Sequence, residues 1–268
     1  MPVPDQVAFG KLPKKSDPRT LSLPALLAGK VTFRAEVDNE KSLRGRPWHE
    51  LGNDTLQDCT IAAAGHAEML WAAKHDERAK NPTLKEIIDA YSKITGYKPG
   101  DETTDKGADL LSVLKYWQQT GIAGQKIGAF AEILPADINT LKWAIDQLDL
   151  AYVGLQLPVA WKAPARNDPK PGFTTIRKWR DPATWQNPLY GHCVVYTGYS
   201  GGDGFTCVSW GRVMTVSMAF HKAYCDEAYG IIAPKLVDGA ATAPHLDQPA
   251  LKRALVQVKS WPGRDEPG

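Results

Sequence analysis

Helix-type and strand-type patterns occupy different halves of this chain, and that segregation most strongly constrains its fold. Apolar residues recur at helical spacing in four segments of the first half, at about 58–75, 82–91, 107–117 and 137–145. Strand-like apolar runs follow in the second half, at about 151–157, 192–199, 205–210, 214–220 and 228–233. This order predicts an α+β fold in which a helical layer packs against a β-rich layer. With 268 residues, 43% of them hydrophobic, the chain is long enough for two such halves that meet at a cleft.

The first 48 residues differ from the rest of the chain. They carry six prolines and little periodicity, which is typical of an extended arm or a disordered leader. The alternative is a segment that occludes a functional site. The absence of helical heptads disfavours this alternative. We therefore predict an arm over 1–48, a main domain over 49–235, and a tail over 236–268 with a short helix at about 249–258 that Asp247 starts.

Composition excludes several classes of protein. The net charge is +2 and no basic-aromatic stripe occurs, so we expect no nucleic-acid partner. No apolar run reaches the ~20 residues of a membrane helix, and no secretory signal is visible at the N-terminus. Four cysteines are too few for a disulfide scaffold. These features predict a cytoplasmic protein with reduced thiols and no membrane association.

Cys59 stands where a turn-rich loop meets the first predicted helix. The loop is Gly52-Asn53-Asp54-Thr55-Leu56-Gln57-Asp58, and Asp58 is the candidate N-cap of the helix. A cysteine in the first turn of a helix feels the positive end of the helix dipole. That position favours the thiolate, which is the nucleophilic form of the side chain.

His192 begins a strand-like run far downstream, within Tyr190-Gly191-His192-Cys193-Val194-Val195. A cysteine that opens a helix and a distant histidine on a strand form an arrangement in which the imidazole takes the thiol proton. Cys59 and His192 are therefore the candidate catalytic pair. The spacing of Cys59, His66 and His75 does not match zinc ligands, so we predict no metal and no cofactor.

From about residue 50 to 235 the chain resembles the papain-like cysteine peptidases, as a divergent member of bacterial or phage type. Six sequence elements carry the resemblance in order: Asn53 six residues before Cys59, Gly107 with its following helix, the helix and strand over 141–157, Gly191-His192-Cys193-Val194-Val195, Ser209-Trp210-Gly211, and Glu227-Ala228-Tyr229-Gly230-Ile231-Ile232. The resemblance implies a two-layer fold with Cys59 at the start of a helix and His192 on the antiparallel β half, facing one another across the cleft.

The resemblance also implies roles for individual side chains. Cys59 would be the nucleophile, His192 the general base, and Asn53 the amide donor of the oxyanion hole, with Trp210 shielding the histidine. One departure is that the family's asparagine, which orients the histidine, falls on Val208 here. The valine side chain forms no hydrogen bond. Ser209 is the candidate replacement, with Thr206 and Asp203 as alternatives if the strand is offset.

Three functions follow from this pattern. The first is a cysteine peptidase or amidase that cleaves peptides or proteins through Cys59 and His192. The second is a catalytically weak or inactive protein of the same fold with an assembly role, for example in a phage particle. Val208 favours that alternative, and so does the arm, because 1–48 could bind an assembly partner and place the protein in a virion. The third is an acyltransferase or deamidase on the same site.

Overall fold

The helices of the described chain are concentrated in its first half. A computed structural model describes residues 8–75, 80–159, 172–173 and 185–260. Its helices are α1 (Cys59–His75), α2 (Leu84–Thr95), α3 (Leu110–Gln119), α4 (Ile138–Gln147), α5 (Met218–Tyr224), α6 (Pro234–Asp238) and α7 (Gln248–Ser260). The four helices predicted in the first half are confirmed. No helix among these residues is long and apolar enough to cross a membrane.

The strands form one mixed sheet. They are β1 (Leu21–Ser22), β2 (Glu36–Asp38), β3 (Ala129–Ile133), β4 (Ala151–Pro158), β5 (Gly172–Phe173), β6 (Gln186–Ser200), β7 (Gly204–Ser209), β8 (Arg212–Ser217) and β9 (Cys225–Ile232). The order is β1-β3-β9-β4-β6-β7-β8-β5, and β2 also pairs with β6. Among the strand pairs of the described residues, only the short β1–β3 and β5–β8 pairs are parallel. The antiparallel β half expected from the sequence is confirmed.

Two strand predictions need correction. The run predicted as a strand over 214–220 ends at Ser217, whose side chain accepts a hydrogen bond from the Phe220 backbone and so caps α5. Strand β3 was not predicted, although its residues are largely buried. A five-residue strand with four apolar residues carries too little periodicity to be recognised alone.

Helix α1 is the central element of the fold. Of its 17 residues, 14 are buried, so it has no polar face that would mark it as a surface helix. Its many alanines let neighbouring elements approach closely. A Cβ atom at Gly65 would lie 2.6 Å from Leu51 and 2.8 Å from Ile87, so glycine admits both side chains. Close packing on every side fixes where the N-terminus of α1 points.

Two apolar cores lie on opposite faces of the sheet, because consecutive strand residues alternate between faces. Cys193 and Val195 of β6 pack with α1, α2 and α3 in one core. Val194 and Tyr196 pack in the other core, which also contains residues of α4, α5 and α7. Cys59 belongs to the first core and Trp210 to the second. The junction of the two cores is therefore where the predicted site residues meet.

The described part of the arm packs along the main domain. Strand β1 pairs with β3, and β2 pairs with β6. Leu23 and Leu26 are buried in the second core. The Asn39 amide donates to the backbone oxygens of Ile145 and Asp149, at 2.7 and 2.6 Å. The described part of the arm is therefore held by sheet pairing, burial and hydrogen bonds.

The tail adds α6 and α7 to the second core. Leu246 and Leu251 are buried there. The Asp247 side chain accepts the Ala250 backbone N–H at 2.8 Å, which confirms it as the residue that starts α7. The predicted helix over 249–258 is confirmed within two residues. The domain boundaries at 48 and 235 stay predictions.

Candidate active site

Cys59 is the first residue of α1 and is almost fully buried. The Tyr152 hydroxyl of β4 donates to the Thr60 backbone oxygen at 2.6 Å, which fixes the helix start against the sheet. Backbone amides of Cys193 and Gly10 donate hydrogen bonds toward the Cys59 sulfur. Since Cys193 follows His192 directly, the helix start and the histidine strand meet at this point.

The Cys59 thiol is protonated in this conformation, contrary to the expectation from its helix position. Burial raises its pKa from 9.0 to about 12, although the amides of Cys193 and Gly10 act in the opposite direction. The reason is that loss of water around a thiolate outweighs the partial positive charge of a helix N-terminus. The expectation of a thiolate was therefore wrong for the occluded site described here.

Asp58 does not cap α1 with its side chain. Its backbone oxygen accepts from the N–H groups of Ile61 and Ala62 at 2.8 and 2.9 Å. Its carboxyl is buried, and a Cβ atom at Gly52 would lie 2.8 Å from it. Burial raises its pKa well above the usual value, and nearby acidic residues raise it further. The side chain has turned into the loop instead of toward the helix amides.

The His192 imidazole pairs with Ser209. Its Nε2 atom lies 2.6 Å from the Ser209 hydroxyl oxygen, and both side chains are buried. If Nε2 carries the proton and donates it to Ser209, Nδ1 keeps its lone pair. Nδ1 has no hydrogen-bond partner among the described residues. Ser209, at the end of β7, thus contacts the imidazole, whereas Val208 is buried opposite Val195 in the sheet.

Aromatic rings enclose the same imidazole. Trp210 stacks on it with ring centroids 4.2 Å apart and planes 11° apart. Phe173 and Phe9 approach it from other directions, with centroids at 6.3 and 6.0 Å. This burial lowers the His192 pKa from 6.5 to about 3. The imidazole is therefore neutral. Strand β6 begins at Gln186, so His192 lies inside the strand rather than at its start, at the point where burial begins.

Asn53 lies in the loop that precedes Cys59 and is buried. Leu51 and Gly52 have positive φ angles of 57° and 94°, which form the sharp turn before it. Its side-chain amide donates weakly, at 3.4 Å, to the Leu56 backbone oxygen of the same loop. The same amide also reaches the buried Asp58 carboxyl. The proposed role of Asn53 as an oxyanion donor stays a prediction.

The arm passes through the cleft between the helical layer and the sheet. The Lys11 backbone N–H donates to Gly191 oxygen at 3.0 Å on one side. On the other side, Ala108 donates to Gly10 oxygen at 2.8 Å and accepts from Leu12 at 3.1 Å. This pattern pairs residues 11 and 108 in parallel. We call residues 8–12 the cleft segment.

Glycines make room for the cleft segment. A Cβ atom at Gly107 would lie 2.1 Å from the Gly10 oxygen, and one at Gly191 would lie 2.1 Å from the Lys11 oxygen. Gly10 itself lies against the Gln57 backbone oxygen, two residues before Cys59. The occluding arrangement that the missing heptads disfavoured is the one observed. An extended strand needs only backbone partners and a few side-chain contacts, so helical periodicity was the wrong criterion.

Sequence reasoning missed one group of residues in the cleft. The buried Lys11 ammonium lies 2.7 Å from Asp226 and 3.1 Å from Glu227. One lysine among several in a proline-rich arm carries no positional signal, and the two acidic residues precede an apolar strand as ordinary flanking charges do. Only the fold brings the three together.

Comparison with known proteins identifies the architecture. No protein-family model and no curated protein matches the chain. Among solved structures, digestive procathepsin L 3 of Tenebrio molitor is similar with a TM-score of 0.54 and 14% identity, over 82% of this chain and 75% of that one. This chain has a papain-like fold.

Other proforms share this fold. The ragweed cysteine protease Amb a 11 in its proform matches with a TM-score of 0.53 and 13% identity, over 84% of this chain and 65% of that one. Procathepsin B S9 of Trypanosoma congolense matches with a TM-score of 0.52 and 8% identity, over 84% and 86%. At such identities the likeness shows the papain-like fold alone. The roles of Cys59, His192, Asn53, Ser209 and Trp210 stay predictions.

Proposed function

We propose that this chain is a cysteine peptidase or amidase that is held inactive by its own arm. The observation that carries the proposal is the placement of Cys59 at a helix start beside the strand of His192. The Nε2 atom of that histidine contacts Ser209. A nucleophile, a base and a group that orients the base are the three parts that acyl transfer requires. The papain-like fold supports a hydrolase.

The reaction would proceed through a thioester. His192 Nδ1 takes the Cys59 proton, and the sulfur attacks the carbonyl carbon of the substrate. The Cys59 backbone N–H and the Asn53 amide hold the oxyanion, and each such donor is worth roughly 2.7–4 kcal/mol in the transition state. The C–N bond then breaks as His192 returns the proton to the leaving amine. Water hydrolyses the thioester, which releases the acid and restores the thiol.

The arm prevents this cycle in the conformation described. The Gly10 backbone N–H points at the Cys59 sulfur, and Phe9 packs on His192. Both catalytic groups are therefore buried and neutral, because desolvation disfavours their charged forms. Displacement of the cleft segment would admit water and substrate together. In that state the helix start and the imidazole would stabilise the thiolate.

The test is peptide cleavage by the full chain. Wild type, Lys11→Ala, Cys59→Ala and His192→Ala are each incubated with a peptide library, and products are identified by mass spectrometry. Lys11→Ala removes a contact of the cleft segment and should cleave faster than wild type. Cys59→Ala and His192→Ala should cleave nothing. Equal cleavage by Cys59→Ala, or none by Lys11→Ala while its Cys59 reacts readily with iodoacetamide, would refute the proposal.

A second candidate is a papain-fold protein with a structural or assembly role, for example in a phage particle. The buried, protonated Cys59 favours it. Under this alternative, the cleft segment stays docked and the thiol stays inert to iodoacetamide in every arm variant. Acyl transfer or deamidation remains the third possibility from sequence.

A further inference from the structure

Lys11 occupies a closed acidic pocket beside the candidate nucleophile. Its side chain is completely buried, and its ammonium lies 2.7 Å from Asp226 and 3.1 Å from Glu227. The Glu227 side chain is also completely buried, whereas that of Asp226 is 27% exposed. Full burial of a lysine is rare without such partners. We call Asp226, Glu227 and Gly154 the acidic pocket.

An irregularity in the sheet creates this pocket. Consecutive residues of a regular strand point to opposite faces, so Asp226 and Glu227 would normally diverge. Here the pairing of β9 with β4 shifts between Gly154 and Leu155, whose partners are Glu227 and Cys225. Asp226 is the extra residue of a bulge. The bulge brings both carboxylates to one cation.

Gly154 forms the floor of the pocket. A Cβ atom there would lie 2.4 Å from Lys11 Cε, 2.6 Å from Glu227 Cγ and 3.1 Å from Asp226 Oδ1. Any side chain at this position would therefore fill the space that the lysine stem occupies. The β4 strand reads apolar around it, with buried Val153 and Leu155. A glycine in that run leaves a cavity of lysine width.

The two carboxyl groups favour a cation in the pocket. Asp226 and Glu227 both face the one ammonium of Lys11, and a buried carboxylate without a partner is costly. Burial raises the pKa of the Glu227 carboxyl, and the Lys11 ammonium acts in the opposite direction. Burial lowers the Lys11 pKa, but the two carboxylates more than offset this effect, so the pKa is raised and the ammonium stays charged. Asp226 Oδ1 is buried without a hydrogen bond among the described residues, which leaves an acceptor for a further donor.

We propose that the acidic pocket is a substrate subsite that selects peptides with lysine or arginine at the position that Lys11 occupies. This inference rests on the proposed function, because it names the substrate class of the same cleft. Lys11 is adjacent to Gly10, whose backbone N–H lies against the Cys59 sulfur. A substrate residue in this pocket is thus within one or two residues of the bond that Cys59 attacks. Lys11 is the intramolecular stand-in for that residue.

Binding tests the pocket without catalysis. A labelled peptide of sequence Ala-Phe-Gly-Lys-Leu-Pro, which matches residues 8–13, is titrated into full-length Lys11→Ala protein, and fluorescence anisotropy gives Kd. We expect at least tenfold tighter binding than for the same peptide with norleucine, which keeps the stem without the charge. The added variant Glu227→Gln should reduce this ratio to twofold or less. Equal binding of the two peptides, or no binding of either, overturns the proposal.

Two further variants separate the pocket from folding effects. Glu132→Gln removes a carboxylate that pairs with Lys14 of the arm outside the pocket, and should leave the lysine-to-norleucine ratio unchanged. Gly154→Ala keeps both carboxylates but fills the stem channel, and should weaken binding of both peptides. If Glu132→Gln abolished the ratio as Glu227→Gln does, the preference would reflect general charge and the proposal would be wrong.

Cleavage separates this inference from the proposed function. The ratio of kcat/KM for lysine and norleucine substrates is independent of how often the arm opens, because both substrates compete with the same closed state. We expect this ratio to exceed ten in wild type and to fall toward one in Glu227→Gln. Preferential binding of the lysine peptide without cleavage of either substrate would refute the peptidase and leave the pocket standing. Cleavage of the lysine and norleucine substrates with equal kcat/KM would refute the pocket as a selective subsite and leave the peptidase standing.

Discussion

Truncation of Phe9 tests whether the arm controls the site. This side chain is half-buried and stacks on Tyr190 with ring centroids 4.9 Å apart. Its ring also packs edge-to-face against His192 and Trp210, with centroids 6.0 and 6.4 Å apart. A fully buried phenylalanine contributes ~1.5–3 kcal/mol through apolar area, so a half-buried one contributes about 1 kcal/mol. Its aromatic contacts add about 1 kcal/mol. Phe9→Ala should therefore weaken docking of the cleft segment by about 2 kcal/mol.

This loss should appear as faster alkylation of Cys59. If the segment recloses faster than the reagent reacts, the alkylation rate is proportional to the open fraction. A change of ~2 kcal/mol raises that fraction roughly 30-fold, since each 1.4 kcal/mol corresponds to a factor of ten. Iodoacetamide labelling of the full chain at pH 7.5, followed by mass spectrometry of the Cys59 peptide, measures it. Cys193 and Cys207, which are buried in the sheet, report global unfolding in the same samples.

The matched control is Phe33→Ala. Phe33 is also a half-buried aromatic residue of the arm, but it packs on Tyr199 away from the cleft, with ring centroids 6.2 Å apart. Phe33→Ala should leave the rate of Cys59 alkylation within twofold of the wild-type rate. The reasoning fails if Phe9→Ala also stays within twofold. It fails equally if both variants accelerate Cys59, Cys193 and Cys207 together, because that pattern indicates unfolding of the whole chain.

Three more predictions follow from individual contacts. Gly191→Ala places a methyl group 2.1 Å from the Lys11 backbone oxygen, so Cys59 alkylation should rise at least tenfold, and an unchanged rate would contradict the observed path of the arm. Ser209→Ala leaves a buried imidazole N–H of His192 unpaired, at a cost of ~1–3 kcal/mol. It should therefore lower kcat/KM for peptide cleavage by roughly 5- to 150-fold. Ser209→Thr keeps the hydroxyl and should retain most of the wild-type kcat/KM. Burial raises the pKa of Glu68 from 4.5 to about 9, so the stability it contributes is complete below pH 4.5 and is lost as the pH rises toward 9. Glu68→Gln should therefore gain stability relative to wild type between pH 5 and 9 in urea unfolding, by up to about 1.4 kcal/mol per pH unit, and parallel pH profiles of the two proteins would show this explanation to be wrong.

Much of the fold was predictable because its elements are encoded locally. Apolar periodicity located the four helices of the first half, and Asp247 correctly marked the start of α7. Strand β3 was missed because its five residues, four of them apolar, fit either a helix or a strand. The run after Met214 was misassigned because Ser217, a capping residue, ends the strand and starts a helix inside one apolar stretch.

Much of the candidate site was also visible in the chain. The order of Asn53, Cys59, His192 and Ser209-Trp210 predicted a shared site. The structure places Ser209 and Trp210 against the imidazole of His192, and the roles of these side chains stay predictions. These are properties of short motifs, whose residue types and spacing stand in the sequence itself. The charge state of the thiol was not predictable in this way, because it depends on water that distant segments exclude.

The sequence by itself determined the helices, most strands, the two-layer arrangement and the candidate catalytic pair, since each depends on residues that are close along the chain or on ordered motifs. Only the tertiary structure decided that the arm fills the cleft, that Cys59 is protonated there, and that Lys11 meets Asp226 and Glu227. Lys11 and Asp226 are 215 positions apart in the chain. No local pattern specifies such a contact, because burial and charge pairing arise only when the whole chain has packed.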